Sequence, residues 1–112
     1  HLSYHEYEGV ALNLDERERL IRALGNISMM ILRNHGILTV GRDVPETFTY
    51  LYFLMKACEI QVKAQSCGPV YMPAQQAIDT TADQSGSLGK AAKLTWPALL
   101  RLLDARSPGY NV

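Results

Sequence analysis

Apolar positions change their spacing several times along this chain, and each change predicts an element. Between residues 7 and 12 a short apolar run follows Gly9 and predicts a strand. Over residues 15–24 the apolar positions Leu20, Ile21 and Leu24 form one stripe among charged residues, which predicts an amphipathic helix. Asp15 with Glu18 three residues on fits a capping box, and Gly25 fits a left-handed stop. Residues 27–32 are too few and too apolar for a surface helix and predict a buried strand. A second β-branched run, residues 37–40, ends at Gly41. The two runs predict a hairpin whose tip is Asn34-His35-Gly36, with Gly36 supplying the backbone freedom for the turn.

From Asp43 the period becomes helical. Asp43 and Glu46 form a second capping pair, and Pro45 sits in the first turn, where its missing N–H does no harm. Phe48, Leu51, Tyr52, Met55, Cys58, Glu59 and Val62 recur at three- and four-residue spacing, so a long helix is predicted over 44–65, stopping at Ser66-Cys67-Gly68-Pro69. A modest helix is predicted over 73–82 and a polar break over 83–87. A final helix over 95–104 has Thr95 as its cap and Pro97 in its first turn, and a tail follows from Ser107. The order is strand, helix, hairpin, long helix, C-terminal helices: an α/β arrangement with at least one antiparallel pair. Three strands make a thin sheet with open edges, and such a sheet calls for further strands.

Composition narrows the function. At 112 residues the chain is one small domain or a part of a larger one. Eleven basic residues balance eleven acidic ones, so neither nucleic acid nor an anionic membrane is expected as a partner. The longest nearly uncharged apolar stretch, residues 23–32, is too short to span a bilayer. Cys58 and Cys67 lie nine apart and form no CxxC pair; they are expected to be reduced, buried thiols of a cytoplasmic protein. The chain opens on His1 rather than Met and carries no signal-peptide pattern, so sequence upstream of it is expected to have been removed.

The stretch Ile31-Leu32-Arg33-Asn34-His35-Gly36-Ile37-Leu38-Thr39-Val40-Gly41 resembles the NHG segment of the class II aldolase/adducin family. The likeness continues through Glu46-Thr47-Phe48 into Ala57-Cys58-Glu59-Ile60-Gln61-Val62, which is similar to the family's long helix, above all in its adducin-like branch. Tyr4-His5-Glu6-Tyr7-Glu8-Gly9 upstream and residues 96–104 downstream fit the same branch, whereas residues 69–94 carry no specific match. The resemblance implies a three-layer αβα fold with a mainly antiparallel central sheet flanked by helices. It makes residues 1–112 the C-terminal portion of a single domain of that type. It further implies a homotetramer, a small-molecule substrate, and a divalent metal, commonly zinc, held by three histidines. The enzymes of the family are lyases that cleave or form carbon–carbon bonds in small hydroxy-carbonyl compounds or sugar phosphates by enediolate stabilisation. Relatives are epimerases and decarboxylases. Adducins keep the domain in a cytoskeletal, non-catalytic role, so an interaction or assembly module is the alternative.

Of the three histidine ligands, the resemblance carries over only to His35. The other two, on an HxH element, and the acidic catalytic residue belong upstream, and the catalytic and substrate-binding residues are left unassigned. His1 and His5 are spaced HxxxH and do not replace the HxH element. With one ligand, the chain alone is expected to be inactive. The residues themselves support the assignment of His35: a hairpin tip holds a side chain rigidly, and a neutral imidazole offers a ring nitrogen to Zn2+. The plain alternative is an ordinary loop histidine. Glu8 has two readings, a solvated strand-end carboxylate or a group near a site. Glu59 is expected on a buried side of the long helix, Asn34 in the turn, and the aromatic run Phe48, Tyr50, Tyr52, Phe53 in the helix core or a subunit contact. Gly86 and Gly89 lack the neighbours of a phosphate-cradling loop.

Overall fold

The computed structural model describes residues 1–9 and 14–110. The elements run β1 (Ser3–His5), α1 (Asp15–Leu24), β2 (Met29–Leu32), β3 (Gly36–Thr39), α2 (Val44–Ser66), α3 (Gln75–Ser85) and α4 (Leu88–Arg106). The sheet order is β1-β2-β3. β1 runs parallel to β2 with Ser3 opposite Met30 and His5 opposite Leu32. β2 and β3 are antiparallel, with Met30 opposite Leu38 and Ile31 opposite Ile37. The sheet of the described residues is thus mixed, within an α/β fold whose helices pack on it: α1 on β1, and α2 on β2 and β3.

The hairpin forms where the apolar runs predict it, but the turn works differently. Asn34 takes the left-handed conformation at φ 56°, and Gly36 is the first residue of β3. Asn tolerates that region because its short polar side chain can bond locally, so Gly36 is not what makes the turn. The first strand also departs from the expectation. It lies at Ser3–His5, ahead of Tyr7, and residues 7–9 are not strand. Residues 10–12 of the predicted run lie outside the described residues. Pairing with β2 decides this: Ser3 and His5 turn inward beside the buried Met30, while Tyr4 between them is exposed.

The helices follow their caps where a cap is present. α2 begins one residue after Asp43, whose side chain accepts from the Glu46 N–H at 2.9 Å. α1 ends at Gly25 with φ 56°, but Leu14 holds its N-terminal cap position without a side-chain cap, and Asp15, Glu16 and Glu18 occupy the first turn. Acidic side chains there complement the positive end of the helix. α3 runs two to three residues later than predicted. α4 starts at Leu88, so Thr95 is not a cap and Pro97 lies inside the helix. The pyrrolidine ring leaves the Lys93 carbonyl without its helical donor. Thr95 Oγ1 donates to the carbonyls of Ala91 and Ala92 in the same turns.

Burial is sparse. Among the described residues the buried apolar side chains are Met30 (0% exposed), Ala92 (1%) and Leu54 (6%). Met30 lies in the sheet, Leu54 on α2 and Ala92 on α4, and the α2–α4 contact is closed at its edge by Phe48 against Trp96, ring centroids 5.6 Å apart. The radius of gyration is 16.9 Å, against about 13 Å for a compact domain of this length. From Glu59 to the end of α2 every residue is exposed. Glu59 is among them, paired with Lys56 and Lys63 rather than buried. Both cysteines are free thiols, but Cys58 is half-buried and Cys67 exposed, not core residues. Among the described residues no helix is long and apolar enough to cross a membrane.

Candidate functional site

A narrow cleft of about 70 Å³ lies where the end of β1, the start of α1 and the hairpin tip meet. Its lining includes His5, Glu8, Glu16, Leu32 and His35. Three local features bring these together. β1 is short, and it ends where the Arg33 N–H donates to the His5 carbonyl at 3.0 Å, which ties His5 to the base of the hairpin loop. That loop carries His35, whose own N–H donates to the Leu32 carbonyl at 3.0 Å. The first turn of α1 brings Glu16 over β1.

His35 is exposed at the tip, with Tyr7 stacked beside it at 6.0 Å between centroids and 23° between planes. Among the described residues neither ring nitrogen of His35 has a hydrogen-bond partner. A packing histidine would bury its ring and bond its nitrogens, because unpaired buried polar atoms are costly. His35 is instead exposed, so its ring nitrogens face solvent, as those of an ordinary loop histidine also would. Asn34, as read from the sequence, shapes the turn.

His5 is the opposite case. Its side chain is only 9% exposed, and Nε2 is buried without a hydrogen-bond partner among the described residues. That nitrogen lies 3.6 Å from Glu8 Oε1 and 3.6 Å from Glu16 Oε1. Glu8 is oriented by Arg19: Nε donates to Oε1 at 2.9 Å and to Oε2 at 3.0 Å, and Nη2 also donates to Oε2. The Arg19 hydrogen bonds hold the Glu8 carboxyl below the usual carboxylate range, and Glu8 in turn raises the Arg19 guanidinium. Of the two readings of Glu8, the structure brings it to a cleft. Glu16 and Arg19 were not singled out as site residues in the sequence, where they belong to the charged part of an amphipathic helix. A His three residues before Glu8 carries no signal that it will be buried against a helix that begins ten residues on.

A broader depression of about 540 Å³ includes Gly41, Arg42, Glu46 and Tyr50. Its carboxylate is already engaged. Glu46 accepts from the Arg42 N–H at 2.7 Å, from Arg42 Nη2 at 3.0 Å and from the Tyr50 hydroxyl at 3.0 Å. The Arg42 side-chain and backbone bonds lower its pKa to about 2. Burial, with help from Glu46, raises the Tyr50 hydroxyl. This network ties the start of α2 to the end of the hairpin and is structural.

The model of the Class II Aldolase and Adducin N-terminal domain matches residues 1–62, more than half of the chain. The chain belongs to the class II aldolase and adducin family. Within that family it is 48% identical over 116 residues to an aldolase class 2-type protein of Pseudomonas aeruginosa, covering 98% of this chain and 45% of that protein. It is 36% identical over 118 residues to alpha-adducin of Rattus norvegicus, covering 92% of this chain and 16% of adducin. The crystal structure of an aldolase II superfamily protein from Pseudomonas syringae superposes with a TM-score of 0.90 at 41% identity, over 99% of this chain and 46% of that one. The chain thus spans less than half the length of these relatives.

Proposed function

We propose that residues 1–112 are the C-terminal portion of a single class II aldolase-like domain, and that the whole protein is a cytoplasmic, metal-dependent lyase acting on a small hydroxy-carbonyl or sugar-phosphate substrate. The observation that carries this reading is His35, an exposed imidazole on a hairpin tip, beside a cleft, with both ring nitrogens unengaged. The donor fits one ligand position of a zinc-type site, and the remaining ligands are expected outside this chain. When bound, the metal supplies a Lewis acid that polarises a carbonyl. His35 would offer one of its ring nitrogens to the metal, with Tyr7 stacked beside the ring. The β2–β3 pairing keeps the tip rigid.

The exposed apolar surface is consistent with an oligomer under either reading. Phe53, Met55, Ile60 and Val62 of α2 are exposed, more apolar surface than this chain covers by itself, and a homotetramer would bury it. The alternative, a non-catalytic assembly module, is favoured by that same apolar surface and by the likeness to alpha-adducin. The whole protein decides between them. Zn2+-dependent cleavage of a sugar phosphate, lost in His35→Ala and on chelation, is the expected result. A folded protein with no such turnover across a panel of sugar phosphates and hydroxy-carbonyl compounds, still oligomeric, sinks the lyase reading in favour of the assembly one.

A further inference from the structure

The geometry points to a second divalent-metal site, formed by His5, Glu8 and Glu16, that is separate from the His35 ligand position. His5 Nε2 is aimed between two carboxylate oxygens, its side chain nine-tenths buried, with no hydrogen bond made among the described residues. A buried imidazole nitrogen left without a partner is costly, so something is expected to satisfy it. The spacing says what. At 3.6 Å from each carboxylate oxygen the nitrogen lies beyond hydrogen-bond length. Donors that share a tetrahedral Zn2+ at ordinary Zn–N and Zn–O bond lengths sit about 3.4 Å apart. The donor atoms of His5, Glu8 and Glu16 are grouped closely enough to face one ion.

The surroundings complete the case. One carboxylate, Glu8, is held by Arg19 through both its oxygens, and a carboxylate keeps lone pairs to spare beyond those bonds. Arg19 therefore orients Glu8 as an outer partner orients a metal ligand. Imidazole with two carboxylates selects a first-row ion such as Zn2+ over Mg2+ or Ca2+, which prefer all-oxygen sites. The ligands come from β1, the segment after it and the first turn of α1, so the ion would clasp α1 to the sheet beside the hairpin tip. The site uses none of the ligands proposed for the lyase centre and stands whether or not that reading holds. The alternative is His5 lying between the two carboxylates with no ion bound.

The test is made in the His35→Ala protein, which removes the family ligand. Zn2+ is titrated in while the His5 ring nitrogens are followed by 15N NMR, with Co2+ as a visible-absorption probe. The expected result is a saturable shift of the His5 Nε2 resonance and tetrahedral Co2+ bands. Glu16→Gln, which keeps size and removes charge, weakens that binding by at least about tenfold, and Mg2+ at equal concentration gives no shift. His5→Gln abolishes it; should that variant unfold, the Glu16→Gln comparison still decides. A His5 resonance that Zn2+ leaves unmoved in folded protein overturns the site. So does Zn2+ affinity unchanged by Glu16→Gln.

Discussion

Glu46 of α2 and Gly89 of α4 meet with no room for a side chain between them. A Cβ at Gly89 would overlap Glu46 Oε1 and lie 3.3 Å from the Tyr50 hydroxyl. Glu46 is not free to withdraw, because Arg42 and Tyr50 hold its carboxylate. This contact fixes how closely α4 approaches α2, and it sits beside the buried Ala92.

Gly89→Ala should therefore destabilise the fold, although alanine is the better helix former by up to about 1 kcal/mol. Overpacking of a close contact costs about 1–3 kcal/mol, which exceeds that gain. Urea denaturation should give a lowered midpoint, and Gly89→Val a lower one still. An unchanged or raised midpoint in Gly89→Ala would show that the helices can separate at no cost.

The Glu46 network also sets an acid response. Its carboxyl is lowered to about 2 in the folded chain, against 4.5 ordinarily. A depressed folded value means that the contribution is fully present above about pH 4.5. It is lost progressively as pH falls toward 2. Urea midpoints measured from pH 7 down to pH 2 should show this loss, and Glu46→Gln should flatten that part of the profile. A variant whose acid limb matches the parent would contradict the assignment.

Asp43→Ala removes the acceptor for the Glu46 N–H at the start of α2. Loss of an N-terminal cap of this kind costs about 1 kcal/mol. Asp43→Asn should recover most of it in the same denaturation assay, since an amide oxygen accepts the same bond.

Exposed apolar side chains line a groove of about 490 Å³ between α2 and α4, including Phe48, Tyr52, Phe53 and Leu102. The 112-residue chain by itself should self-associate, and sedimentation should show mass rising with concentration. Phe53→Asp should shift it toward monomer. A monomer at every accessible concentration would mean that this surface is tolerated in water.

His35→Ala should leave stability within about 0.5 kcal/mol of the parent, since the ring is exposed and unbonded. In the whole protein the same change should remove metal-dependent activity. A large loss of stability instead would assign His35 a structural role through its contact with Tyr7.

What the amino-acid order determined by itself is local. The long helix begins at Val44 because Asp43 and Pro45 act within one turn, and α1 stops at Gly25 because a left-handed residue is needed there. The hairpin follows from two apolar runs around a short polar loop, and that loop carries His35 at its tip. Tertiary structure decided the rest. β1 lies at Ser3–His5 because its partner is β2, some two dozen residues on, and that pairing is parallel, which no local pattern specifies. α4 runs through Pro97 because its Gly89 and Ala92 seat against α2, and the packing outweighs one missing helical bond. The His5, Glu8 and Glu16 cluster has the same origin. Periodicity places Glu16 on a charged helix face, and only the docking of α1 on β1 turns that face toward a buried imidazole.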